Sequence, residues 1–114
     1  MMNLETHITF DDVLLVPQYS DIKSRSEVTL VSEISEGMQL RVPIISAPMD
    51  TVCGQLMAAR MAEFGALGIV HRYNTIEKQA QIVSKASESG LKNIGAAIGI
   101  TGDYLEREAA LIEA

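Results

Sequence analysis

The sequence predicts an α/β fold built on a parallel sheet, and three observations lead there. From residue 42 onward, short apolar runs alternate with amphipathic stretches in the order βαβαβα. The first run, Val42-Pro43-Ile44-Ile45-Ser46-Ala47, has no polar alternation, as suits a strand covered on both faces. It stops at Pro48, which has no amide hydrogen and cannot continue a central ladder. Strands that alternate with helices pair in parallel through right-handed crossovers. Three such units suit either a doubly wound sheet or an eight-unit barrel, and a full barrel takes about 250 residues.

The elements follow in order. Asp11 and Asp12 suit a turn or cap, Val13-Leu14-Leu15-Val16 a short strand or tucked-in segment, and Pro17 ends it. Residues 18–27 are polar and read as a surface loop. Val28, Leu30 and Ile34 fit a strand, and Gly37 marks a turn before Met38 to Arg41. After the Pro48 stop, Asp50 and Thr51 are placed to cap a helix over residues 52–64. Its expected inner face is Cys53, Met57, Met61 and Phe64, and Gly65 its C-terminal stop. A second strand covers residues 66–70 and ends at His71-Arg72. A second helix spans residues 75–89, with Asn74 and Glu77 as a capping box and Ile76, Ala80 and Val83 inside. A third strand lies within residues 93–100. Asp103 and Glu106 open a third helix whose inner face is Leu105, Ala109 and Ile112.

Composition narrows the function. The chain has 114 residues, enough for one small domain, and 47% hydrophobic content with mean hydropathy +0.16 supports a core rather than disorder. A net charge of −6 argues against general binding to a nucleic-acid backbone, and without Trp a base-stacking platform is not expected. The single cysteine, Cys53, excludes an internal disulfide and gives no metal cluster. No run approaches the roughly 18 apolar residues of a membrane span, and residues 1–9 lack the apolar core of a secretory signal. The expected setting is the cytoplasm.

Ligands in α/β proteins gather where strands end and helices begin, so the turn from Ser46 to Asp50 is the first candidate site. Ser46 and Ala47 are small enough to let a ligand approach the backbone. Met49 can lie flat on a ring, and Asp50 can accept from a hydroxyl. The same residues also make an ordinary strand end, proline stop and cap. His71 reads as a packed strand-end residue, and Arg72 as a partner for a phosphate or for a surface acid. Gly95 and Gly99 lack the spacing of a phosphate loop and read as sheet packing. Lys23-Ser24-Arg25 reads as a solvated loop or a contact to a nucleotide or neighbouring subunit. Cys53, on an apolar helix face, is a poor nucleophile.

Three stretches then carry a resemblance. Thr9 to Pro17, Pro43 to Val52 and Gly68 to Arg72 together resemble the start of the IMP dehydrogenase and GMP reductase family, in order and spacing across nearly the whole chain. The Met49-Asp50-Thr51-Val52 turn is the most specific part. The resemblance implies a (β/α)8 TIM barrel, of which residues 1–114 supply the N-terminal segment and about the first three βα units of one incomplete catalytic domain. It implies a homotetramer acting on a purine mononucleotide, IMP or GMP. The dehydrogenase reaction takes IMP, NAD and water to XMP and NADH; the reductase takes GMP and NADPH to IMP and ammonia. Ala47-Pro48-Met49-Asp50 and the segment from Gly65 to His71 resemble the dehydrogenases, because reductases commonly carry asparagine where Pro48 stands. Lys23 to Glu27 resembles the reductase loop that contacts cofactor across a subunit boundary.

Carried over residue by residue, Ala47, Met49 and Asp50 match the substrate-contacting turn, and Ser24, Arg25 and Arg72 match cofactor contacts of the reductases. Residues 87–93 pass straight to the third strand where the family's regulatory CBS pair usually inserts, so no CBS domain is expected. No catalytic residue is expected in this chain, because the family's cysteine lies beyond Ala114. The chain alone is expected to be inactive, and any potassium ligands lie outside it. The reading from another class is a non-catalytic assembly module made from a barrel fragment.

Overall fold

Residues 6–88 and 90–114 are described in the structure, a computed structural model. The expectations that fall on residues 1–5 and on Ser89 lie outside the described residues.

The N-terminal third is held by local chemistry. Thr9 donates to Asp12 from its backbone and hydroxyl, closing a short 3-10 turn at Phe10–Asp12. A second 3-10 turn, Arg25–Glu27, is capped by the Ser24 hydroxyl. Strands β1 (Ser32–Ser35) and β2 (Met38–Leu40) form an antiparallel hairpin, and Gly37 takes φ +77° at its turn. Residues 13–16 are neither strand nor tucked in. Leu14 and Leu15 are 95% and 97% exposed, because among the described residues nothing packs over this extended stretch. The radius of gyration is 19.0 Å, against about 13 Å for a compact chain of this length.

The remainder is the expected α/β succession: α1 (Gln55–Glu63), β3 (Gly68–Val70), α2 (Ile76–Ser87), β4 (Ile94–Ala96) and α3 (Tyr104–Ile112). β3 and β4 pair in parallel, Gly68 with Ile94, Ile69 with Gly95 and Val70 with Ala96. The Val42–Ala47 segment lies along the other edge of β3. Ser46 N donates to Leu67 O at 3.0 Å, Leu67 N to Ile44 O at 3.1 Å, and Ile45 bridges Leu67 in parallel. Three chain-successive strands therefore run side by side in one direction, an arrangement found both in barrels and in each half of a doubly wound sheet.

The first segment corrects the expectation of a strand buried on both faces. It makes one bridge only, and Ile44 and Ile45 are about half exposed. Pro43 removes one ladder donor, and β3 covers only one edge.

The helices form where predicted, but their packed faces and caps differ. α1 begins at Gly54, not at Asp50 or Thr51, and it ends in a Schellman turn. Ala66 N donates to Met61 O, Gly65 N donates to Ala62 O, and Gly65 sits at φ +79°. Its buried residues are Ala58 and Ala62, whereas Met57 and Phe64 are exposed. α2 is capped by the Thr75 hydroxyl, which accepts from Lys78 N, and not by Asn74. It buries Gln79 and Ala86 rather than centring on Ile76, Ala80 and Val83. α3 buries Arg107 and exposes Leu105, Ala109 and Ile112. The core that results is small: Cys53, Ala58, Val70 and Ala86, with Ala59, Ile82, Val83, Ile94 and Ala96 packed against it.

Candidate functional site

Because the three strands run in parallel, their C-terminal ends reach one rim. The first strand delivers Ala47 to Asp50, β3 delivers His71 and Arg72, and β4 delivers Ala97 to Gly99. The first turn is tightly wound. Met49 N donates to Ala47 O at 2.8 Å, and Met49 O accepts from Val52 N and Cys53 N, both at 3.0 Å. Ala47, Met49 and Asp50 are all exposed on it. Asp50 also lines an open groove of 610 Å3 with Thr51, Val52, Leu56, Met57 and Arg60, a size within the range of small-molecule sites. Its walls are mainly apolar, with one carboxylate and one guanidinium at the edge.

Ser46 turns out to face inward. It is buried, and its hydroxyl accepts from Ile69 N at 3.0 Å. The side chain ties the first strand to β3, which fixes where the following turn begins.

His71 is a packed residue. Its backbone N donates to Cys53 O at 3.2 Å, its ring is approached by Asn74 Nδ2, and Tyr73 stacks at 6.4 Å. Arg72 is exposed, and its guanidinium lies over Gly99: a Cβ there would stand 2.8 Å from Arg72 Nη1. The β3 and β4 ends are thus in contact at the rim. Gly95, by contrast, would meet only ordinary neighbours at 3.6 Å and beyond, consistent with sheet packing.

The hydrogen bonds of Ser24 and Arg25 stay within residues 24–28 and do not tie them to this rim. Ser24 caps its own turn through Ser26 N, and Arg25 O accepts from Val28 N. Cys53 is fully buried in the core and has no access to a ligand. Among the described residues, no three His, Cys, Asp or Glu side chains gather where they could hold a metal ion.

A polar cluster beneath the rim is not legible from the motifs alone. Gln79 is fully buried, and its Nε2 donates to Ala97 O at 2.9 Å and more weakly to Val70 O at 3.5 Å. Arg107, 7% exposed, donates to Gln79 Oε1 at 2.8 Å, to Asn74 O at 3.1 Å and to the Asp103 carboxylate. That bond to Arg107 holds the Asp103 carboxyl below the usual range. The Glu77 carboxyl is also lowered, first by its own backbone amide and then by the Thr75 side chain. The signal that was available is periodicity: Gln79 is three and seven residues before Ile82 and Ala86, on their helical face. Asp103 and Arg107 are four apart.

The family model for the IMP dehydrogenase / GMP reductase domain matches residues 7–114. The chain belongs to the IMP dehydrogenase / GMP reductase family.

Relatives within this family carry both names. An inosine-5'-monophosphate dehydrogenase of Nitrosopumilus maritimus is 45% identical over 108 residues, 95% of this chain and 23% of its own length. One from Bacillus subtilis is 48% identical over 82 residues, 72% of this chain and 17% of its own. A GMP reductase of Leishmania donovani is 42% identical over 82 residues, again 72% of this chain and 17% of its own. The chain therefore spans less than a quarter of the length of these family members. No helix among the described residues is long and apolar enough to cross a membrane.

Proposed function

We propose that this chain forms the first three βα units of a (β/α)8 barrel in an IMP dehydrogenase, which oxidises IMP to XMP with NAD. The observation that carries the reading is the exposed Ala47–Asp50 turn at the C-terminal rim, beside the strand end that presents Arg72. The residues fit a purine mononucleotide. Asp50 offers a free-standing carboxylate to accept from ribose hydroxyls, and Met49 a half-exposed thioether to lie on the purine face. Ala47 contributes through its backbone.

NAD, when bound, supplies the hydride acceptor. Arg72 is the residue of this rim that would hold a cofactor phosphate, with Ser24 and Arg25 contributing across a subunit boundary. The attacking thiol comes from outside residues 1–114, because Cys53 is sealed in the core. A homotetramer, a cytoplasmic setting and the lack of a CBS insert belong to the same proposal, and potassium is left outside it. The second reading, GMP reductase with NADPH, draws on the Leishmania relative and on the exposed Ser24–Arg25 turn.

Calorimetric titration of the 114-residue chain, in the assembly in which it purifies, tests this. IMP should bind, and Asp50→Asn should weaken it about tenfold through loss of a charged acceptor. Indifference of the chain to both IMP and GMP would overturn the proposal in favour of a non-catalytic assembly module. Preference for GMP with NADPH would select the reductase.

A further inference from the structure

The buried Gln79–Arg107 pair has no place in the reading above, yet every acceptor it engages is at or under the rim. Gln79 Nε2 donates to Ala97 O, the first carbonyl beyond β4, and reaches Val70 O at the last residue of β3. Val70 O also accepts from Ala97 N at 2.9 Å, so one amide group clamps both strand ends where they meet. A side-chain amide can do this in only one of its two flipped orientations. Arg107 selects that orientation by donating to Oε1, and the same guanidinium holds Asn74 O, whose side chain reaches His71. Among the described residues no buried side-chain polar atom is left without a partner. A buried charge satisfied to this degree is strongly directional, and truncating either partner leaves an uncompensated group.

We propose that Arg107 and Gln79 are positioning residues for the ligand-facing rim. Through the carbonyls of Asn74 and Ala97 they set the spacing between the loop that carries Arg72 and the loop that carries Gly99. Neither residue touches ligand; the spacing sets whether the Arg72 guanidinium presents itself to a phosphate. The ligand part of this inference rests on the proposed purine-nucleotide site.

Hydrogen exchange on the full 114-residue chain, with nucleotide titration beside it, provides the test. Gln79→Glu keeps the acceptor for Arg107 and loses the donor to Ala97 O. It should raise exchange of the Ala97 amide, which donates to Val70 O, about tenfold while α1 and β3 keep their protection. Arg107→Met should speed exchange of the His71 amide, which donates to Cys53 O, as well, and Arg107→Lys, which keeps a donor for Oε1, should recover much of the protection at Ala97. IMP or NAD affinity should fall in step with loop protection, at unchanged protection of the core.

A Gln79→Glu chain whose Ala97 amide exchanges as in the parent overturns the positioning role. So does one that loses protection uniformly, which is what a mere filler of the core would do. If the loops loosen as expected but the parent chain binds no nucleotide, the positioning role stands and the purine-nucleotide reading fails. If the parent binds and Gln79→Glu binds equally well with loosened loops, the link between spacing and ligand fails alone.

Discussion

Gly68 of β3 lies directly against Ala58 of α1: a Cβ on Gly68 would stand 2.4 Å from the Ala58 Cα and 2.9 Å from its carbonyl oxygen. Backbone meets backbone there, so neither side has a flexible end to move. Gly68→Ala should cost about 2–3 kcal/mol by overpacking, seen as a lower urea midpoint with an unchanged slope. Gly95→Ala, whose added methyl meets two side chains and the Gly68 carbonyl oxygen at ordinary contact distance, should change the midpoint little.

Ser46 and Ile69 offer a second measurement. The Ser46 hydroxyl is the acceptor for Ile69 N across 23 residues of sequence, in a part-buried position. Ser46→Ala leaves that amide without its partner and should cost about 1–2 kcal/mol. It should also speed exchange of the Ile69 amide more than that of its neighbours in β3. Equal speeding along the strand would show general destabilisation instead.

Thr75 takes the capping role expected of Asn74, whose side chain turns to His71 instead. Thr75→Ala should remove the α2 cap and cost about 1 kcal/mol, whereas Asn74→Ala should leave helix stability nearly intact and free the His71 ring. Thermal melts separate the two, and the His71 ring resonances should shift only in the Asn74 variant.

Asp103 gives a pH dependence whose sign is fixed by its partner. Its carboxyl is held below the ordinary value by the Arg107 hydrogen bond, so the unfolded chain takes up the proton first as pH falls. The contribution is complete above the unfolded value of about 3.9 and is lost as pH drops through the lower folded value. Acid unfolding followed by circular dichroism should be shallower in Asp103→Asn below about pH 4, with the two proteins parallel above pH 5.

Much of the architecture was legible because it depends on local signals. Pro48, Gly37 and Gly65 mark the stops, and apolar runs mark strands where a neighbouring strand pairs with them, as for β3 and β4 but not for residues 13–16. The packed helix faces depart from an apolar-pattern reading for two physical reasons. An apolar pattern seats the largest residues inward, yet α1 approaches β3 so closely at Gly68 that nothing larger than Ala58 fits there, and Ala62 is the other buried residue. The same closeness leaves Met57 and Phe64 outside. In α3 the inward position went to Arg107, because the acceptors of Gln79, Asn74 and Asp103 satisfy a charge that an apolar pattern would place in solvent. The rim turn at Ala47, Met49 and Asp50 was readable from its motif. The partner cluster beneath it depends on contacts 28 and 33 residues apart and was not.

Cys53 is the sole thiol of the chain and has no solvent-accessible surface in the folded state. An alkylating or disulfide reagent therefore meets it only when the α1–β3–α2 unit comes apart. The sulfur is a built-in reporter of that event: its modification rate, divided by that of a free thiol, gives the fraction of time the unit is open, without any engineered label.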